Sequence, residues 1–132
     1  MITVDCAVCV IHRDSLYLIA QRKEDDSFGG YWEFPGGKRE EGETLEICAA
    51  REAREEMGLE IAVHRHLVTV RNPYPEKRID LHFFLCEIRR GEPQAIECDA
   101  WRWVTADELS NILFPPANER VIDMLVRGDH IS

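Results

Sequence analysis

The sequence predicts an α/β sandwich built around a mixed β-sheet. Three observations carry that expectation. Short β-branched apolar runs recur along the chain, a capped and glycine-stopped helical segment interrupts them, and an amphipathic segment follows the last of them. Strands, helix, strands, helix is the order of a layered α/β protein. The 132 residues suit one domain, 1–132, with a single core.

Residues 3–11 and 16–21 read as strands joined by a tight turn at "HRDS". "KEDDSFGG" is a polar loop ending in glycine, and "YWEF" a short extended piece stopped by Pro35 and the following glycines. Thr44 is placed to cap a helix over residues 45–57, which Gly58 ends at its C′ position. Residues 60–71 and 79–88 are two further strands with "NPYPEK" as their turn, and "WRWV" is another. Thr105 and Glu108 have the spacing of a capping box that opens a short helix. "FPPANERVIDMLV" begins with prolines and becomes a helix with Val121, Met124 and Leu125 on its apolar side.

Apolar residues make up 45% of the chain, charged residues 31%, and the net charge is −9. That balance argues against stable nucleic-acid binding, which draws on a basic surface. An acidic protein still binds a polyphosphate when divalent cations bridge the two. "MITVDCAVCVI" reads as a strand rather than a signal peptide, and no apolar run approaches a membrane span. Five cysteines without a disulfide-framework pattern fit a reducing, cytoplasmic setting. Cys6 and Cys9 are spaced C-x-x-C, but strand alternation sends them to opposite faces, so buried thiols are expected there rather than a zinc site.

The chemistry concentrates in "GGKREEGETLEICAAREAREEMGL". On a helix of about 100° per residue, Glu52, Glu55 and Glu56 fall within an arc of about 100°. Ala50, Ala53 and Met57 lie on another side, ready to pack inward. Crowded carboxylates repel, and a charge run is commonly just a solvated face. Here the spacing, and a preceding "FPGG" turn whose backbone carbonyls can approach a cation without an intervening Cβ, favour a site for a hard oxygen-seeking cation. Mg²⁺ fits, with Mn²⁺ able to substitute.

This segment resembles the Nudix box, G-x5-E-x7-R-E-U-x-E-E-x-G-U, where U is a bulky aliphatic residue. Gly37, Glu43, Arg51, Glu52, Glu55, Glu56, Gly58 and Leu59 fill it, and Ala53 at the first U is the one departure. The resemblance implies an α/β/α sandwich, a divalent metal, and hydrolysis of a nucleoside diphosphate linked to another moiety. By position it implies that Glu52, Glu55 and Glu56 ligate the metal with the Gly36 carbonyl, while Arg51 and Glu43 form an ion pair orienting the helix. Glu52 or Glu55 would accept the proton of the attacking water. In parts of the family a carboxylate from a later loop joins the site, and Glu97 and Asp99 in "IECDAWRW" occupy such a loop.

"IAQRK", "WEFPGGK", "LHFFLCE" and "FPPANERVI" resemble the MutT-like branch, which removes damaged nucleotides such as 8-oxo-dGTP. That likeness implies that Asn118 reads the purine, its amide offering both donor and acceptor; capping the following helix is the alternative. Arg22 and Phe34 match positions near the nucleotide, as a phosphate partner and a surface along base or sugar; a surface arginine and a core phenylalanine are the plain alternatives. Lys77 and Arg78 either meet phosphate or decorate a loop. Proline or tyrosine shortly after the box marks relatives acting on ADP-ribose or diadenosine polyphosphates, and "NPYP" supplies both. The expected partner is a nucleotide, the expected state a monomer or homodimer. CTP, other dNTPs, nucleotide sugars, ADP-ribose and a non-catalytic nucleotide-binding domain stay open as alternatives.

Overall fold

In the computed structural model, which describes residues 2–129, the chain begins with the strand on which the rest is organised. β1 (Ile2–Arg13) turns into β2 (Leu16–Gln21) through Asp14 and Ser15 alone. Both residues have positive φ, 52° and 67°, the pair of left-handed conformations that a two-residue type I′ hairpin requires. The turn is therefore shorter than "HRDS", because His12 and Arg13 still pair with Tyr17 and Leu16.

β3 (Trp32–Glu33) pairs antiparallel with β2. β4 (Gly36–Lys38) corrects an expectation. The two glycines do not make a turn but a strand, antiparallel to β1, with Gly36 opposite Val8 and Gly37 opposite Ala7. Only glycine permits that approach at residue 36, where a Cβ would stand 2.3 Å from the Ala7 carbonyl oxygen.

Helix α1 (Leu45–Met57) has the predicted bounds. The Thr44 hydroxyl accepts a hydrogen bond from the Ile47 N–H, and Gly58, at φ 68°, ends the helix in the left-handed region. β5 (Glu60–Pro73) and β6 (Lys77–Arg90) form a long antiparallel hairpin, each strand longer than expected. β7 (Ala100–Thr105) pairs with β2, and α2 (Ala106–Leu109) opens on the predicted capping box. A 3₁₀ turn, Pro116–Asn118, leads into α3 (Glu119–Arg127).

The sheet runs β3-β2-β1-β6-β5, with β4 attached to β1 and β7 to β2. β1 and β6 are parallel while the other pairs are antiparallel, so the sheet is mixed as predicted. Strand alternation divides the core in two. Ala7, Cys9, Ile11, Phe84 and Cys86 face α1, and Val8, Val10, Phe83 and Leu85 face α2 and α3. The layers are thus helix, sheet, helix. Cys6 and Cys9 do lie on opposite faces; Cys9 is fully buried, but Cys6 is only half-buried. Among the described residues no helix is long and apolar enough to cross a membrane.

Candidate active site

Helix α1 rests on the sheet through small residues. Ala53 and Met57 are fully buried as expected, joined by Cys48 and Ala49, and Ala50 is half-buried but packs against the same core. Ala53, the departure from the box, is fully buried against β1. A small side chain there lets the helix axis come close to the strand.

That close approach brings the carboxylates over β4. Glu56 is 7% exposed, and its Oε2 accepts the Gly36 N–H at 2.8 Å. Glu52 lies so near Gly37 that a Cβ on residue 37 would be 2.5 Å from its carboxyl carbon. Burial, the Glu33 carboxylate, and the neighbouring Glu52 push the Glu56 carboxyl up to about 9. Burial also raises Glu52. Adjacent carboxyls whose burial disfavours their charge, with no side-chain cation paired to Glu56 among the described residues, are the donor set a hard divalent cation satisfies.

Arg51 gathers the remaining charges. Its Nε donates to Glu43 Oε2 at 2.6 Å and its Nη2 to Glu43 Oε1 at 3.0 Å. Nη1 donates to Glu52 at 2.9 Å and to Glu55 at 3.0 Å, and Nη2 reaches the Lys38 carbonyl at 3.0 Å. The forked pair holds the Glu43 carboxyl down to about 2, chiefly through the Arg51 hydrogen bonds. One guanidinium thus ties the loop before α1, two carboxylates on α1, and β4.

Glu97 and Asp99 follow β6 in a loop stitched to α1 and β2. The N–H groups of Ile96 and Glu97 both donate to the Glu56 carbonyl, at 3.2 and 3.1 Å, and the Asp99 N–H donates to the Gln21 carbonyl at 3.0 Å. The Glu97 side chain is exposed and has no partner among the described residues.

A cavity of about 570 Å³ adjoins the carboxylates at Gly36 and Gly37. Val8, Ile79, Leu81 and Phe34 supply its apolar wall, and Pro115, Ala117 and Asn118 close another side. Phe34 is at once a core residue, 3% exposed and stacked on Phe114 with ring centroids 5.3 Å apart, and part of this wall. Asn118 is 8% exposed. Its Nδ2 donates to the Pro115 carbonyl at 3.1 Å, and it makes no side-chain cap to α3, so the capping alternative does not hold. The Asn118 Oδ1 accepts no hydrogen bond from the described residues, an unsatisfied acceptor in a buried position.

Arg22 lines the cavity, but Arg78 does not. Arg78 donates to both oxygens of Asp80, at 2.8 and 3.2 Å, on the opposite face of the sheet. Alternation along β6 explains the correction. Lys77, Ile79 and Leu81 point to the cavity, while Arg78, Asp80 and His82 point to the α1 side. There Asp5, Asp80 and His82 bring ligand atoms within 4.8 Å of one another, yet Arg78 already holds Asp80, and His82 holds Asp5 at 2.9 Å. Glu33, Cys6 and Tyr74 also line the cavity. A charged residue inside the otherwise apolar "YWEF" was the signal for Glu33, and the period of two in β6 was the signal for Lys77.

The chain is similar to known proteins along most of its length. A family model described as NUDIX domain matches residues 6–124. An 8-oxo-dGTP diphosphatase of Escherichia coli (strain K12) is 38% identical over 109 residues, covering 83% of this chain and 84% of that protein. A CTP pyrophosphohydrolase of the same organism is 31% identical over 115 residues, covering 87% and 85%. Among solved structures, that of the E. coli ORF135 protein superposes with a TM-score of 0.83 at 30% identity, covering 93% of this chain and 88% of that one. With the family model spanning nearly the whole described chain, and Glu56 and Glu52 set against Gly36 and Gly37, the protein belongs to the Nudix hydrolase family.

Proposed function

We propose that the protein hydrolyses a nucleoside triphosphate to the nucleoside monophosphate and pyrophosphate, and that its substrate is an oxidised purine nucleotide such as 8-oxo-dGTP. The observation that carries the substrate is Asn118, a buried amide with an unsatisfied acceptor in an apolar cavity that adjoins a carboxylate cluster. A flat base fits between the Phe34 side and the Ile79–Leu81 side, and an amide at its edge matches a donor–acceptor pair. The phosphates then extend toward Gly36 and Gly37, with Arg22 and Lys77 as cationic contacts on the cavity wall.

Glu52, Glu55, Glu56 and the Gly36 carbonyl would hold Mg²⁺, with Glu97 and Asp99 as carboxylates on the adjacent loop. A bound divalent cation neutralises phosphate oxygens and makes water a better nucleophile. Arg51 keeps Glu52 and Glu55 in place through its grip on Glu43. Glu52 or Glu55 would take the proton of the attacking water; Arg51 donates to both, and the packing of Glu52 against Gly37 on the cavity wall favours Glu52. The close likeness to a CTP pyrophosphohydrolase supports a second reading, because an asparagine amide also complements a cytosine edge.

The test is a panel of 8-oxo-dGTP, dGTP and CTP, with and without Mg²⁺, with products identified. The expected products are monophosphate and pyrophosphate, only with the cation, and fastest from 8-oxo-dGTP. Asn118→Ala should lower the preference for 8-oxo-dGTP over dGTP by about ten- to a hundredfold, while leaving the cation requirement intact. An unchanged ratio rejects Asn118 as the base reader, and a preference for CTP replaces the oxidised-purine reading.

A further inference from the structure

Glu33 is a carboxylate in an awkward place. It lines the cavity, and it raises the Glu56 carboxyl by proximity, so it adds negative charge where a polyphosphate would enter. Burial raises its own carboxyl, and Arg22 acts against that. The contacts suggest why the charge is there. Arg22 follows β2 directly, and β3, which carries Glu33, pairs with the end of β2. The Arg22 backbone is fixed by hydrogen bonds with Tyr31 and Gly30 across the loop. Its side chain is then held at two points: Nε donates to the Ser27 carbonyl at 2.7 Å, and Nη1 donates to Glu33 Oε1. Nη2 has no partner among the described residues.

We propose that Glu33 is a positioning residue, which with the Ser27 carbonyl clamps the Arg22 guanidinium so that Nη2 stays available to a substrate phosphate. This rests on the reading that Arg22 meets the substrate. A planar guanidinium held at two of its edges loses little further freedom when a third N–H engages an anion. The pair also leaves no uncompensated charge at that wall before substrate arrives.

The experiment is a double-mutant cycle on the full-length protein at saturating Mg²⁺, with dGTP and 8-oxo-dGTP as substrates and a thermal melt for every variant. Arg22→Ala and Glu33→Ala are each expected to raise KM about tenfold with kcat within about threefold. The double variant is expected to be no worse than Arg22→Ala alone, because the two act as a unit. Glu33→Gln, whose amide oxygen still accepts from Nη1, is expected to restore KM to within about threefold of wild type. Glu33→Leu, of similar volume without an acceptor, takes the same expectation as Glu33→Ala if the smaller residue does not fold. Multiplying effects in the double variant, or a fall in kcat at unchanged KM for Glu33→Ala, overturns the proposal. If Arg22→Ala raises KM and Glu33→Ala does not, the Glu33 inference alone fails. If Arg22→Ala leaves KM unchanged, the reading of Arg22 as a substrate contact fails with it.

Discussion

Glu56 meets two opposing demands. Its place on α1 puts it at the edge of the core, and its carboxyl must lose a proton to bind a cation. In the cation-free protein burial wins, and the carboxyl rises from an ordinary value of 4.5 to about 9. Between those two pH values the folded protein keeps a proton that the unfolded chain releases. Stability from this group is therefore fully present below about 4.5 and is lost as the pH rises toward 9. With the cation chelated, Tm is expected to fall between pH 6 and pH 9, and Glu56→Gln should flatten most of that fall. Added Mg²⁺ should raise Tm more at the alkaline end, since binding expels the proton. Equal slopes for wild type and Glu56→Gln in chelator would remove Glu56 as the cause. Glu43 has the opposite sign: its carboxyl is held down to about 2, so its contribution is lost only as the pH falls toward that value.

At the scale of elements, two adjacent glycines in β4 have different tasks. A Cβ on Gly36 would strike the Ala7 backbone at 2.3 Å, and β1 cannot move without losing its neighbours. A Cβ on Gly37 would first meet the end of the Glu52 side chain, at 2.5 Å, and that end can swing aside. Gly36→Ala should therefore lower Tm markedly. Gly37→Ala should melt near the wild-type temperature yet lose activity on the order of a hundredfold, because a displaced carboxylate is misaligned rather than absent. Activity beside a melt for both variants checks this; a stable, active Gly37→Ala would detach Glu52 from the site. The same strand shows what the sequence could reveal. α1 was legible to the residue, because Thr44 and Gly58 cap it through contacts close in the chain. β4 was not, because "GG" becomes a strand only when β1 lies beside it. The helix face was legible as well, since Ala53 and Met57 are buried; the sheet decided its breadth, adding Cys48 and Ala49 and leaving Ala50 at the margin. On β6 the alternation was readable, but a start set at residue 79 left Lys77 and Arg78 in a loop, where their opposite directions could not show.

Over the whole molecule, the carboxylates of α1 come from one stretch of chain and the cavity from six separate ones, β1, the loop after β2, β3, β4, the β5–β6 hairpin and the 3₁₀ turn before α3. The box was therefore visible in the sequence, while the cavity needed the fold to bring Val8, Phe34, Leu81 and Asn118 together. The assembled site joins an apolar cavity to an acidic cluster, on a protein of net charge −9. Without a divalent cation, Glu43, Glu52 and Glu55 outnumber the one Arg51 guanidinium they share and oppose a triphosphate, while Glu33 is paired with Arg22; Arg22 and Lys77 are the cations that line the cavity among the described residues. Such repulsion acts over a screening distance of about 10 Å at 0.1 M salt and shrinks to about 3 Å at 1 M. In chelator, raising monovalent salt should thus strengthen binding of dGTP, which carries the charge, and leave binding of the uncharged nucleoside unchanged. With saturating Mg²⁺ the trend for dGTP should vanish or reverse, because the cation has already compensated the carboxylates. Calorimetric titration of both ligands across salt, with and without Mg²⁺, measures this directly. If salt weakens dGTP binding in chelator, then Arg22 and Lys77 dominate the field at the entry, and the acidic cluster does not set the cation requirement for binding.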